Sequence, residues 1–154
     1  MNLDNGALAP YSWPIPSLSP RSFDRLTTAG PGWCLAGDAA GLVDPITREG
    51  IYFALLSGQW AAEAMASAGE AHQRYREQVR DEIVAELALA ARYKAGFFKP
   101  RFTRLLVDAL AESRRVRAVM AGLIAGTQPY KTLKRRLART AEFSLAWRWL
   151  RAGW

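Results

Sequence analysis

One cysteine and one histidine occur in 154 residues, and that scarcity removes whole classes of chemistry. A single thiol, Cys34, cannot form an internal disulfide, which fits a reducing compartment. It lies in an apolar run and is expected to be a buried structural thiol rather than a nucleophile. The lone His72 falls near the start of a polar helical stretch, where an exposed position is expected. No second histidine or cysteine stands beside it, so no metal site is expected. No run reaches the roughly 20 apolar residues that a membrane span needs. The opening residues, Met1 to Pro20, are polar and rich in proline, without the apolar core of a secretion leader, so a cytoplasmic location is expected. Pro10, Pro14, Pro16 and Pro20 exclude a helix there, and Trp13 to Pro16 read as an edge strand. No internal repeat or low-complexity segment is present.

Acidic residues are scarce in one part only. Residues 1–91 hold 6 Lys/Arg and 11 Asp/Glu, a net charge of −5, whereas residues 92–154 hold 15 Lys/Arg and 3 Asp/Glu, a net of +12. The basic character therefore belongs to the C-terminal part. It points to an anionic surface as partner, either a membrane or nucleic acid.

The most informative stretch is Trp33-Cys34-Leu35-Ala36-Gly37-Asp38-Ala39-Ala40-Gly41-Leu42-Val43-Asp44-Pro45-Ile46-Thr47-Arg48-Glu49-Gly50-Ile51. Trp33 to Ala36 read as a short buried strand behind the Pro31-Gly32 break. Gly37 leaves room for a ligand to approach the backbone. Asp38 places a carboxylate acceptor at the strand's carboxyl end, where open α/β sheets bind ligands. Gly41, Pro45 and Gly50 shape a loop, and Thr47 is a candidate cap for the helix that follows. The helix N-terminus then faces the same crevice and favours negative charge.

These residues resemble the second flavin-binding motif of the geranylgeranyl reductase family, within the larger group of flavoproteins similar to p-hydroxybenzoate hydroxylase. The family pattern is Gly-Asp-Ala-Ala-Gly, then Pro, then Thr-Gly-Glu-Gly-Ile. Here it stands as Gly37-Asp38-Ala39-Ala40-Gly41, Pro45, and Thr47-Arg48-Glu49-Gly50-Ile51. The resemblance implies FAD as cofactor. It implies that Asp38 bonds the ribityl chain, that Gly37 and Ala39 lie near the pyrophosphate, and that Pro45, Arg48, Glu49, Gly50 and Ile51 border the isoalloxazine ring. It also implies hydride transfer from reduced flavin to isoprenoid double bonds, with hydroxylation as the alternative chemistry of the group. Arg48 departs from the family glycine. A positive φ at that position would cost arginine on the order of 1 kcal/mol.

Five helices complete the reading. Residues 49–67 form the first, with Ile51, Leu55, Gly58, Ala62 and Met65 as its inner face. Ala54, Ser57, Gly58, Ala61 and Ala62 are small enough for close approach to a neighbouring layer. Residues 71–95 form the second, with Tyr75, Val79, Ile83, Leu87 and Ala91 recurring every fourth position. Gly96 to Pro100 break the chain. Helices over 101–112 and 113–125 follow, the first with Phe102, Leu105, Leu106, Ala109 and Leu110 inward. The second turns Val116, Val119, Met120, Leu123 and Ile124 inward. After a turn at Gly126 to Pro129 the last helix covers 130–151, with seven Lys/Arg among Leu, Phe and Trp. Basic charge with Trp and Leu on one helix reads as a membrane-surface element. The competing reading draws Ser113 to Thr140 as a helix-turn-helix with Lys131 to Arg139 on phosphates. It lacks a matched recognition helix and leaves the Gly-Asp stretch unexplained.

The fold class expected is a mostly helical α/β fragment, with one or two short N-terminal strands before the Gly-Asp turn. Residues 1–68 read as the C-terminal piece of a Rossmann-type FAD-binding domain and 69–154 as a helical region. The strand and Gly-x-Gly-x-x-Gly that hold the ADP part of FAD are missing. An N-terminal dinucleotide-binding half is thus an expected partner.

Overall fold

The computed structural model describes residues 14–67 and 69–140. The expectations for Trp13 and for the helix beyond Thr140, with Phe143, Trp147, Arg148, Trp149 and Arg151, lie outside the described residues.

Local chemistry sets the first elements. Ser19 caps α1 (Pro20–Asp24) by accepting the Ser22 N–H, and Pro20 supplies the pre-set φ of a first helical position. Two strands follow, β1 (Ala29–Gly30) and β2 (Trp33–Cys34). They pair antiparallel as Ala29 with Cys34 and Gly30 with Trp33. Pro31 and Gly32 make the turn, with Gly32 at φ +78. The expectation of a buried strand over Trp33 to Ala36 is corrected here. The strand ends at Cys34, and Trp33 and Leu35 are exposed. A two-stranded ribbon has an open outer face, so alternation leaves those side chains uncovered. Cys34 is half-buried and packs against the core. Pro14 to Pro16 form no strand.

A 3-10 turn (Gly37–Ala40) leads through the loop Gly41 to Gly50 into α2 (Ile51–Ala66). Next come α3 (Ala71–Val79), a π-helical turn (Arg80–Val84) and α4 (Ala85–Phe97), continuous with one another. The remaining helices are α5 (Pro100–Glu112), α6 (Arg114–Ile124) and α7 (Tyr130–Arg139). Mostly helix with one short ribbon is the expected class at its coarse level. None of the helices among the described residues is long and apolar enough to cross a membrane.

The π-helical turn explains a pattern visible in the sequence. An α-helix turns by 100° per residue, so apolar residues spaced by four drift by about 40° at each step. Tyr75, Val79, Ile83, Leu87 and Ala91 are nonetheless all buried. The wider turn between Arg80 and Val84 takes back part of that drift and keeps the row facing one core.

Two apolar clusters make the interior. The first gathers Phe23, Ala29, Leu42, Ala61, Ala64 and the row from Tyr75 to Ala91. The second gathers Ala90, Ala109, Val116, Met120, Leu123, Tyr130 and Leu133. Leu106, Leu110 and Val119 pack against the second as expected, but Ile124 is exposed at the end of α6. His72 is half-buried rather than exposed.

The inner face expected for α2 is corrected. Ile51, Leu55 and Met65 are 74, 72 and 67% exposed, and Gly58 and Ala62 are exposed with them. The buried side carries Ser57, Ala61 and Ala64. The reason is steric. The 3-10 turn lies so close to α2 that a β-carbon on Gly37 would sit 2.7 Å from Ala54 Cβ. Only small side chains fit that approach, so Ile51, Leu55 and Met65 lie on the far side, while Phe53, Leu56 and Trp60 pack half-buried beside the first cluster.

Candidate functional site

The Gly-Asp turn is held by two contacts from distant parts of the chain. Gly37 N–H donates to Ser57 Oγ at 3.0 Å, and Ser57 Oγ donates to Phe53 O at 2.6 Å. Tyr75 OH donates to Leu35 O at 2.6 Å, two residues before the turn. Burial pushes the Tyr75 phenol above its ordinary range, while its side-chain bond to Ser57 acts the other way. Gly37 itself sits at φ +52 and Gly41 at φ +67. With both ends of the turn left-handed, Asp38 and Ala39 are presented to solvent and Gly37 and Ala40 are buried.

Asp38 meets the start of α2. A β-carbon on Gly50 would lie 3.0 Å from Asp38 Oδ1, so glycine there lets the carboxylate sit against the helix N-terminus. Among the described residues no donor is within hydrogen-bonding distance of this carboxylate, which remains open to a ligand. Pro14, Ile15, Pro16, Asp38 and Ala39 line a shallow groove of about 440 Å³ beside it.

The loop from Asp44 to Glu49 closes on itself and onto the C-terminal helices. Asp44 N–H donates to Glu49 O, and Arg48 N–H to Asp44 O. The Asp44 carboxylate accepts Ile46 N–H at 2.7 Å and Thr47 N–H at 3.0 Å through Oδ1. Its Oδ2 accepts Tyr130 OH at 2.7 Å. Burial, then the bond to Asp44 and the charges of Asp44 and Glu86, pushes the Tyr130 phenol far above its ordinary range, so it stays a donor. Tyr130 N–H donates to Glu86 Oε2, and Lys131 pairs with Glu86 Oε1 at 3.3 Å.

The expectation that Thr47 caps α2 is corrected. Thr47 Oγ1 accepts Glu49 N–H within the loop, and Glu49 Oε1 accepts Tyr52 N–H at the helix start. The cap comes from Glu49 because Gly50 is the residue flanking the helix and has no side chain.

The expected site residues are thus brought together, with unequal exposure. Asp38, Ala39, Arg48 and Ile51 are exposed, Glu49 and Gly50 half-buried, and Gly37 buried. Pro45 is fully buried and sets the loop from behind. Sequence reasoning missed Asp44, Ser57, Tyr75, Glu86 and Tyr130. Only Asp44 carried a local signal, an aspartate two and three residues before the amides it bonds.

Arg48 adopts φ +65, so the strained position inferred from its place in the motif is present. Arg48→Gly is expected to stabilise the chain by about 0.5 kcal/mol, the strain removed less part of glycine's backbone entropy. Urea unfolding of both proteins checks this; an unchanged or lower midpoint would show that the loop carries no such strain.

Comparison with known proteins gives one partial match of note. A 41-residue stretch is 54% identical to menaquinone reductase of Mycolicibacterium smegmatis (strain ATCC 700084 / mc(2)155), and it amounts to 27% of this chain and 10% of that protein. No family profile matches, and no solved structure matches.

Proposed function

We propose that this chain is the C-terminal part of an FAD-dependent oxidoreductase, similar to geranylgeranyl reductases, that reduces carbon–carbon double bonds of isoprenoid substrates. The observation that carries the reading is Asp38: a carboxylate that is exposed, is unpaired among the described residues, and is held against the N-terminus of α2 by a turn with two left-handed glycines. Such an acceptor suits a ribityl hydroxyl. Gly37 and Ala39 offer a backbone with little side-chain bulk for the pyrophosphate. Pro45 fixes the loop, and Arg48, Glu49, Gly50 and Ile51 present its outer edge to the ring. The N-terminus of α2 offers positive potential to an anionic ring edge, less what the Glu49 carboxylate cancels. FAD, when bound and reduced, supplies the hydride; the chain's residues bind and orient it. The relative's name supports a reductase, and the Gly-Asp motif supports flavin.

The rest of a Rossmann-type fold is, in this reading, a separate segment. The exposed row Ile51, Leu55, Met65 on α2 is the face we assign to it, since among the described residues no other helix covers that row.

Nuclear magnetic resonance of the isolated chain tests both halves of the proposal. Without an ADP site, FAD should bind only at roughly millimolar concentration, yet it should shift the amides of Gly37 to Ala40 and Gly50 to Tyr52. Shifts confined elsewhere would overturn the flavin site. Sub-micromolar binding would overturn the missing half.

A further inference from the structure

The acid-free segment from Ser113 to Thr140 folds into α6, a turn and α7. Between these helices lies a groove of about 380 Å³ lined by Arg115, Ala118, Val119, Arg136, Arg139 and Thr140. Two of its guanidinium groups are held in place. Arg115 Nη1 donates to Thr140 O at 3.3 Å, and Arg136 Nη1 donates to Gln128 Oε1 at 2.9 Å. Gln128 is itself buried and donates to Pro129 O and Thr132 Oγ1. Each anchored guanidinium carries five N–H groups in a rigid fork, so donors remain for a ligand. Arg139 adds a third from the last turn of α7. Two lysines of α7 are partly engaged elsewhere, Lys131 with Glu86 and Lys134 over the Tyr93 ring at 4.7 Å. Among the described residues no carboxylate lines the groove.

We propose that this groove binds a phosphate group, carried by an anionic phospholipid headgroup, and so seats the chain on a membrane surface. Three arginines lining one groove offer phosphate more charge-assisted donors than a scattered basic face does. Ala118 and Val119 supply an apolar wall on which the carbon part of a headgroup can lie. The proposal is independent of the flavin reading: it would stand if Asp38 bound nothing.

The test is sedimentation of the full chain with vesicles of phosphatidylglycerol and phosphatidylcholine, and with phosphatidylcholine alone, at low salt. The triple variant R115Q/R136Q/R139Q is compared with K99Q/R104Q/R114Q, which removes the same charge from the same basic region outside the groove. Far-ultraviolet circular dichroism checks that both fold. The groove variant should lose about tenfold or more in binding to anionic vesicles, and the control much less. Inorganic phosphate should displace the wild type from vesicles better than chloride at equal ionic strength. Equal losses in the two variants would overturn the groove in favour of diffuse attraction. Binding of inorganic phosphate without vesicle binding would overturn the lipid as its source. Equal binding to neutral vesicles would overturn the anionic headgroup.

Discussion

Asp44→Ala should destabilise the chain by about 3 kcal/mol, more than any other single loss of a polar group in the site region. Asp44 is 5% exposed and accepts two amides and a phenol. Truncation leaves the buried Tyr130 hydroxyl without its acceptor, and the Ile46 and Thr47 amides without theirs. An orphaned buried donor costs about 1–3 kcal/mol, and a hydrogen bond to a charged acceptor is worth about 1.5–3 kcal/mol. Tyr130→Phe removes only one donor and leaves the carboxylate two amides, so its cost should be nearer 1.5 kcal/mol. Urea unfolding of the three proteins gives the comparison. A cost below that of Tyr130→Phe would show that the loop does not depend on the carboxylate.

Asp38→Ala should do the opposite: leave the fold intact and cut cofactor affinity. Its carboxylate is exposed and touches no donor among the described residues, so the folded chain loses little. In a protein completed by its dinucleotide-binding segment, the lost charge-assisted bond to a ribityl hydroxyl is worth about 1.5–3 kcal/mol, or roughly tenfold to 150-fold in FAD affinity. Flavin retention on dialysis, read by absorbance, separates the outcomes. Unchanged retention would place Asp38 away from the cofactor. Together the two aspartates distinguish a structural carboxylate from a binding one only six positions apart in the chain.

Much of the helical scaffold was legible because it is written in local spacing. The four-residue row from Tyr75 to Ala91, the break at Gly96 to Pro100 and the Ser113 start of α6 each follow from neighbours within a turn or two. The left-handed Arg48 was legible for another reason: it stands at a motif position that glycine usually fills. The buried side of α2 was not. Size normally marks burial, but here close approach of the 3-10 turn selects Ser57 and Ala61 and expels Ile51 and Leu55. The partners of the site loop were also hidden, since Asp44 and Tyr130 lie 86 positions apart and no periodicity relates them. The same holds for Tyr75 with Leu35 and for Ser57 with Gly37. Such contacts are decided by how helices stack, which spacing within one helix does not encode.

Ala90 and Ala91 are adjacent in α4, yet the first belongs to one apolar cluster and the second to the other. Their side chains leave the helix about 100° apart, so α4 is a common wall. Melting either cluster would strip one face of that wall and expose the backbone supporting the other. Denaturation should therefore run as a single cooperative transition, with both halves of the chain reporting the same midpoint and no half-folded species accumulating between them.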